Sequence, residues 1–166
     1  MSPYAVTVDA GVRDVRAADR LLVELAAELA LPGGAFGCTH LVRGERPRVV
    51  LSFTAPSPFR VDALAAGPYE VSSGVPDGAG RAVLFPGAGA LTGTMTVAGL
   101  LSASAIDRVA VLGSHGEPDP AQDVVTRGHV RPQWQDGELV LTLMPAAGGV
   151  LVPFEVPDPT PCCADH

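Results

Sequence analysis

The chain has 166 residues, 47% of them hydrophobic and 17% charged, with a formal net charge of −7. That length and apolar content suit one domain with a real core, able to remove roughly 70% of its unfolded surface from water. The acidic balance disfavours nucleic acid, and the eleven basic residues are all arginine, which excludes lysine Schiff bases, Ser-Lys nucleophile pairs and Walker A loops.

Met1-Ser2-Pro3-Tyr4 lacks the charged start and apolar run of a secretory signal. No apolar stretch approaches the ~20 residues of a membrane span. Three cysteines, an odd count, do not suit a secreted disulfide framework. The expectation is a cytoplasmic chain with reduced thiols, no membrane partner and no nucleic-acid partner.

Residues 4–8 read as a strand, and residues 14–31 as the clearest helix. Val15, Ala18, Leu22, Leu25 and Leu29 recur at spacings of three and four, which places them on one face, and Leu21 widens the stripe. Asp14 is the expected N-cap and Pro32-Gly33-Gly34 the stop. Arg13, Arg16, Arg20, Glu24 and Glu28 fall on the opposite side. Residues 48–53 form a strand nearly apolar on both faces, hence central. Pro56 and Pro58 interrupt, and 59–66 has room for one or two helical turns. Short strands follow at 69–72 and 81–85, separated by a loop containing Pro76-Asp77-Gly78. Residues 94–101 fit strand and helix equally, 108–112 a buried strand, and 114–122 a surface loop.

The last third reads as a meander: 123–131, then Trp134 and the hairpin signal Asp136-Gly137, then 138–144, a turn at Ala147-Gly148-Gly149, and 150–156. Pro153 places that last strand at an edge. Pro157-Asp158-Pro159-Thr160-Pro161 is an extended spacer. The expected fold is α+β: one long N-terminal helix packed on a mainly antiparallel sheet, a C-terminal three-strand meander and an extended tail. Residues 1–156 make one domain, and 157–166 a proline-rich tail ending in Cys162-Cys163-Ala164-Asp165-His166.

All three thiols and two of the four histidines lie in two short clusters, Cys38-Thr39-His40 and that terminal pentapeptide. Thiolate and imidazole are the ligands of zinc and other thiophilic ions. With Gly33, Gly34 and Gly37 supplying a turn, Cys38 and His40 could reach one ion. Cys162 or Cys163 together with His166 would complete the tetrahedron, and Asp165 could serve as a fourth ligand or an acceptor behind an imidazole. Ten extended residues span roughly 30 Å, against a radius of gyration near 15 Å, so the tail can reach the loop. The competing readings make Cys38 a small buried hydrophobe with a frayed tail, or make Cys162 and Cys163 a redox pair.

The functional expectation is a small soluble metal-binding protein, with zinc pinning the tail to the loop after the first helix. One alternative is a non-enzymatic interaction module or homo-oligomer joined through strand 150–156. Another is a small enzyme or ligand binder using His129 with Arg127 and Arg131, which alternate along one strand face; its ligand is unspecified. Pro86-Gly87-Ala88-Gly89 reads as a flexible turn rather than a phosphate loop, since Thr92-Gly93-Thr94-Met95-Thr96 is a poor helix start. Ser114-His115-Gly116-Glu117 reads as a surface turn, because sequential neighbours rarely form a triad.

Overall fold

A computed structural model describes residues 4–76 and 80–157. In chain order they form β1 (Tyr4–Val12), α1 (Val15–Leu29), β2 (Phe36–Val42), β3 (Arg48–Ala55), a 3₁₀ turn (Val61–Leu64), β4 (Glu70–Ser73) and β5 (Arg81–Leu84). A second 3₁₀ turn (Ala88–Ala90) precedes β6 (Thr94–Thr96), α2 (Val97–Ala103), β7 (Arg108–Val111), β8 (Asp123–Val125), β9 (Gln133–Gln135), β10 (Glu138–Ala146) and β11 (Val150–Pro153).

The expected fold class is overturned. Among the described residues, eleven strands join in one mixed sheet ordered β4-β1-β3-β2-β5-β9-β10-β11-β8-β6, with β7 on β10. Helix is confined to two short segments of fifteen and seven residues. Two pairings are parallel, β7 with β10 and β8 with β11. The meander expected from 123–131 does not form, because β8 stops at Val125 and pairs with β11 instead of β10. The turn at Arg127 (φ 59°) and Gly128 (φ 64°) breaks that strand, with the His129 N–H closing on the Thr126 carbonyl. Pro153 does not mark a sheet edge, since β11 lies between β10 and β8. Residues 94–101 satisfy both readings in succession: β6 first, then α2 capped by the Thr96 hydroxyl on the Gly99 N–H.

Helix α1 starts where Asp14 accepts from the backbone of Arg16 and Ala17. Its buried face, Ala18, Leu22, Leu25 and Leu29, packs on Val6 and Val8 of β1 and on Val49, Leu51 and Phe53 of β3. Close approach needs Gly37 on β2, since a Cβ there would sit 2.8 Å from Leu22 Cδ2. A second core gathers Leu100, Val109, Val124, Leu139, Leu141, Leu143 and Leu151 from the C-terminal elements. The two halves meet at β5 and β9, through the single register pair Arg81–Gln133 and backbone bonds from Trp134 to Gly80 and from Ala82 to Pro132.

An ion-pair cluster reinforces that seam. Arg81 reaches Asp19 of α1 at 2.7 Å and Glu155, just beyond β11, at 2.5 Å. Asp19 also receives Arg131 at 3.1 Å, and Glu155 receives His129 at 2.7 Å. Burial works against the charge on Asp19 and Glu155. The hydrogen bonds and positive charge of Arg81, joined by Arg131 at Asp19 and His129 at Glu155, outweigh it and hold both carboxyls below their ordinary range.

Candidate functional site

Cys38 and His40 do not sit on a turn. They lie in the middle of β2, a strand paired on both sides by β3 and β5. The residues 36–42 carry too little apolar alternation to signal a strand, and the glycines before Cys38 imitate a loop. Alternation puts Phe36, Cys38 and His40 on the face opposite α1, beside Ser52 and Thr54 of β3.

The zinc site is overturned as well. Among the described residues, no three of His, Cys, Asp and Glu gather around a common point. His40 Nε2 is bonded to Ser52 Oγ at 2.7 Å. Burial pushes the Cys38 thiol up to about 11, only partly opposed by a hydrogen bond from Trp134, so the thiolate that zinc requires is disfavoured. Cys162, Cys163, Asp165 and His166 fall outside the described residues.

The stripe of Arg127, His129 and Arg131 is not a free binding surface either. Arg127 is exposed on the turn that ends β8, while His129 and Arg131 are engaged in the seam cluster. Ser114, His115, Gly116 and Glu117 are all exposed, as a surface turn requires. Gly87 (φ 85°) packs so tightly on Ser104 and the Ala103 carbonyl that a Cβ would clash, which makes its loop a packing turn.

What the fold does build is a cavity of about 270 Å³ over the outer face of β2 and β3. Its floor is Cys38, His40, Ser52 and Thr54, and its walls are Trp134, Gly80, Val75 and Pro76. Trp134 reaches it from β9, and its ring is fixed by Phe36 at a centroid distance of 5.4 Å. Gly80 approaches the imidazole so closely that a Cβ would lie 2.8 Å from His40 Cε1. Burial lowers the His40 pKa from its ordinary 6.5, so the ring is neutral at pH 7. With Cys38 protonated, no described residue lining the cavity carries a formal charge.

The His40–Ser52 pair resembles the nucleophile and base of a catalytic triad without its third member among the described residues. Among the described residues, the enclosed Nδ1 has no hydrogen-bond partner. Among the described residues no carboxylate stands behind that nitrogen, the group that in a triad orients and stabilises the imidazolium. Sequence reasoning missed Ser52, Thr54, Gly80 and Trp134; the alternation of Ser52 and Thr54 within an otherwise apolar strand was the available signal. The chain matches no protein-family model, and no curated protein or solved structure matches it.

Proposed function

We propose that the protein binds a small, uncharged, largely apolar molecule in the Trp134 cavity. The supporting observation is the pairing of apolar walls with hydroxyl, thiol and neutral imidazole groups on the floor. Ligand sites have this character: mostly hydrophobic and aromatic lining with a few placed polar groups, at a seam between packed units. A volume of about 270 Å³ lies just below the range of roughly 300–1,000 Å³ for such sites, which suits a small ligand. An ion would lose its hydration there without a countercharge from the described lining, so the group held in this cavity is uncharged.

We infer further that residues 1–156 act as one unit, in the cytoplasm and without a nucleic-acid partner. The scattered arginines, the odd cysteine count and the net charge of −7 support that. No described helix is long and apolar enough to cross a membrane.

Trp134 is the sole tryptophan of the chain, so its fluorescence reports on the cavity alone. Titration with 4-bromobenzyl alcohol, whose bromine quenches indole, should give saturable quenching with Kd on the order of 0.1 mM. 4-Bromobenzoate and 4-bromobenzylamine should quench only by collision, and Thr54→Phe, which fills the floor, should abolish saturation by the alcohol. Linear quenching by all three compounds rejects the reading. Solution mass measured alongside separates a ligand-binding monomer from a self-associating chain.

A further inference from the structure

The Trp134 cavity continues beyond its polar floor. Val75 and Pro76 belong to its wall and also to the wall of a second hollow, of about 500 Å³, which Val42 and Val50 line. The outward side chains of β3 run Thr54, Ser52, Val50, Arg48, six residue steps that cover about 20 Å of strand. Asp9, Arg48 and Glu70 line the far part of that hollow and are shared with a third, of about 530 Å³, which adds Arg13 and Arg46.

Polarity therefore changes in order along one line. Uncharged hydrogen-bonding groups and an indole come first, then valine and proline interspersed with the hydroxyls of Thr7, Ser72 and Ser73, then ionic side chains. At the ionic end Arg48 is held by Asp9 at 2.6 Å, which neutralises both. Arg13 and Arg46 remain, both exposed, with Glu70 as the other carboxylate of that hollow. Three guanidiniums facing two carboxylates make this end locally positive, in a chain whose net charge is −7.

Building on the reading of the Trp134 cavity as a ligand site, we propose that the three hollows form one track for an amphipathic anion. Its uncharged end lies against Trp134, its apolar body along Val42, Val50, Val75 and Pro76, and its anionic head between Arg13 and Arg46. Guanidinium suits carboxylate and phosphate heads alike, through charge-assisted and bidentate hydrogen bonds.

The test uses the full chain and Trp134 fluorescence, with four single-tailed probes kept below micelle-forming concentrations. These are tetradecanoate, tetradecyl phosphate, tetradecanol and tetradecyltrimethylammonium. At least one anion should bind about tenfold more tightly than the alcohol, and the ammonium more weakly still. The anion that binds better identifies the head group. An Arg13→Gln, Arg46→Gln double variant replaces two exposed side chains and leaves the core untouched. It should erase the preference for the anion while leaving the alcohol's affinity unchanged. Equal binding of anions and alcohol, or a preference that survives the double variant, overturns the track. Should 4-bromobenzyl alcohol still saturate while the anions show no preference, the track alone falls; should neither occupy the site, the parent reading falls with it.

Discussion

Strand β3 carries two different surfaces on one backbone. Val49, Leu51 and Phe53 face helix α1 and are sealed against its leucines. One residue along, Val50, Ser52 and Thr54 face the side that no helix covers. Both sides are largely buried, but in different ways. The helix side excludes water by interlocking apolar side chains, down to the contact of Leu22 with Gly37. The open side is only partly covered, by the Val75–Pro76 segment and Trp134, and keeps polar groups beneath them. Packing of the first kind supplies stability, and the incompletely filled face of the second kind is the one proposed to take a ligand.

The comparison can be broken most forcefully from the helix side. Leu22→Ala removes a fully buried side chain from the centre of the α1 interface and should lower stability by about 3–4 kcal/mol. Urea unfolding of that variant should show a shifted midpoint, while quenching of Trp134 by 4-bromobenzyl alcohol persists in the folded fraction. Absence of the ligand response in the native baseline, where the variant is still folded, would show that the two faces are not independent.

The seam comes next. Arg81→Ala strips Asp19 and Glu155 of their principal partner and should cost about 3 kcal/mol, because a poorly hydrated carboxylate is left behind. A cost below about 0.5 kcal/mol would place the cluster among exposed pairs of little energetic weight.

Acid should then separate the two faces by pH. Asp19 and Glu155 have folded pKa values below their ordinary 3.8 and 4.5. The stability they contribute is thus complete above about pH 5 and lost as pH falls through the folded values. His40 has a folded pKa below its ordinary 6.5, so the unfolded chain takes up a proton first. Stability from that group therefore declines as pH drops below about 6.5, well before the carboxylates respond. Two steps are expected in midpoint against pH, and His40→Gln should remove only the upper one.

The smallest effect lies on the open face. Ser52→Ala deletes the partner of His40 Nε2 and should cost about 1–2 kcal/mol. The same variant should weaken the bromobenzyl alcohol response more than Leu22→Ala does. The reverse order would sink the assignment of the cavity floor.

Much of the helix side was legible from spacing. Val15, Ala18, Leu22, Leu25 and Leu29 fall on one stripe whatever they meet, and Asp14 has the side-chain oxygen an N-cap needs. The hairpin at Asp136-Gly137 was legible for the same reason: both residues adopt positive φ, at 50° and 82°, and short-range turn chemistry demands residues that tolerate it. β2 was not legible. Gly37, Cys38, Thr39 and His40 look like a loop because their burial comes from β3 and β5 on either side, and from Trp134 almost a hundred residues later.

Local periodicity and turn chemistry act over a few residues, so the amino-acid order alone settled helix α1, its cap, the central position of β3 and the tight hairpin. It equally settled the absence of any lysine-based chemistry. Which strands are neighbours is a different matter, because pairing depends on contacts between residues distant in the chain. Folding alone brought Cys38 and His40 to Ser52 rather than to a metal, tied His129 and Arg131 into the seam, and opened a cavity beside Trp134. Side chains carry their chemistry in sequence, but their partners are chosen by where the backbone returns.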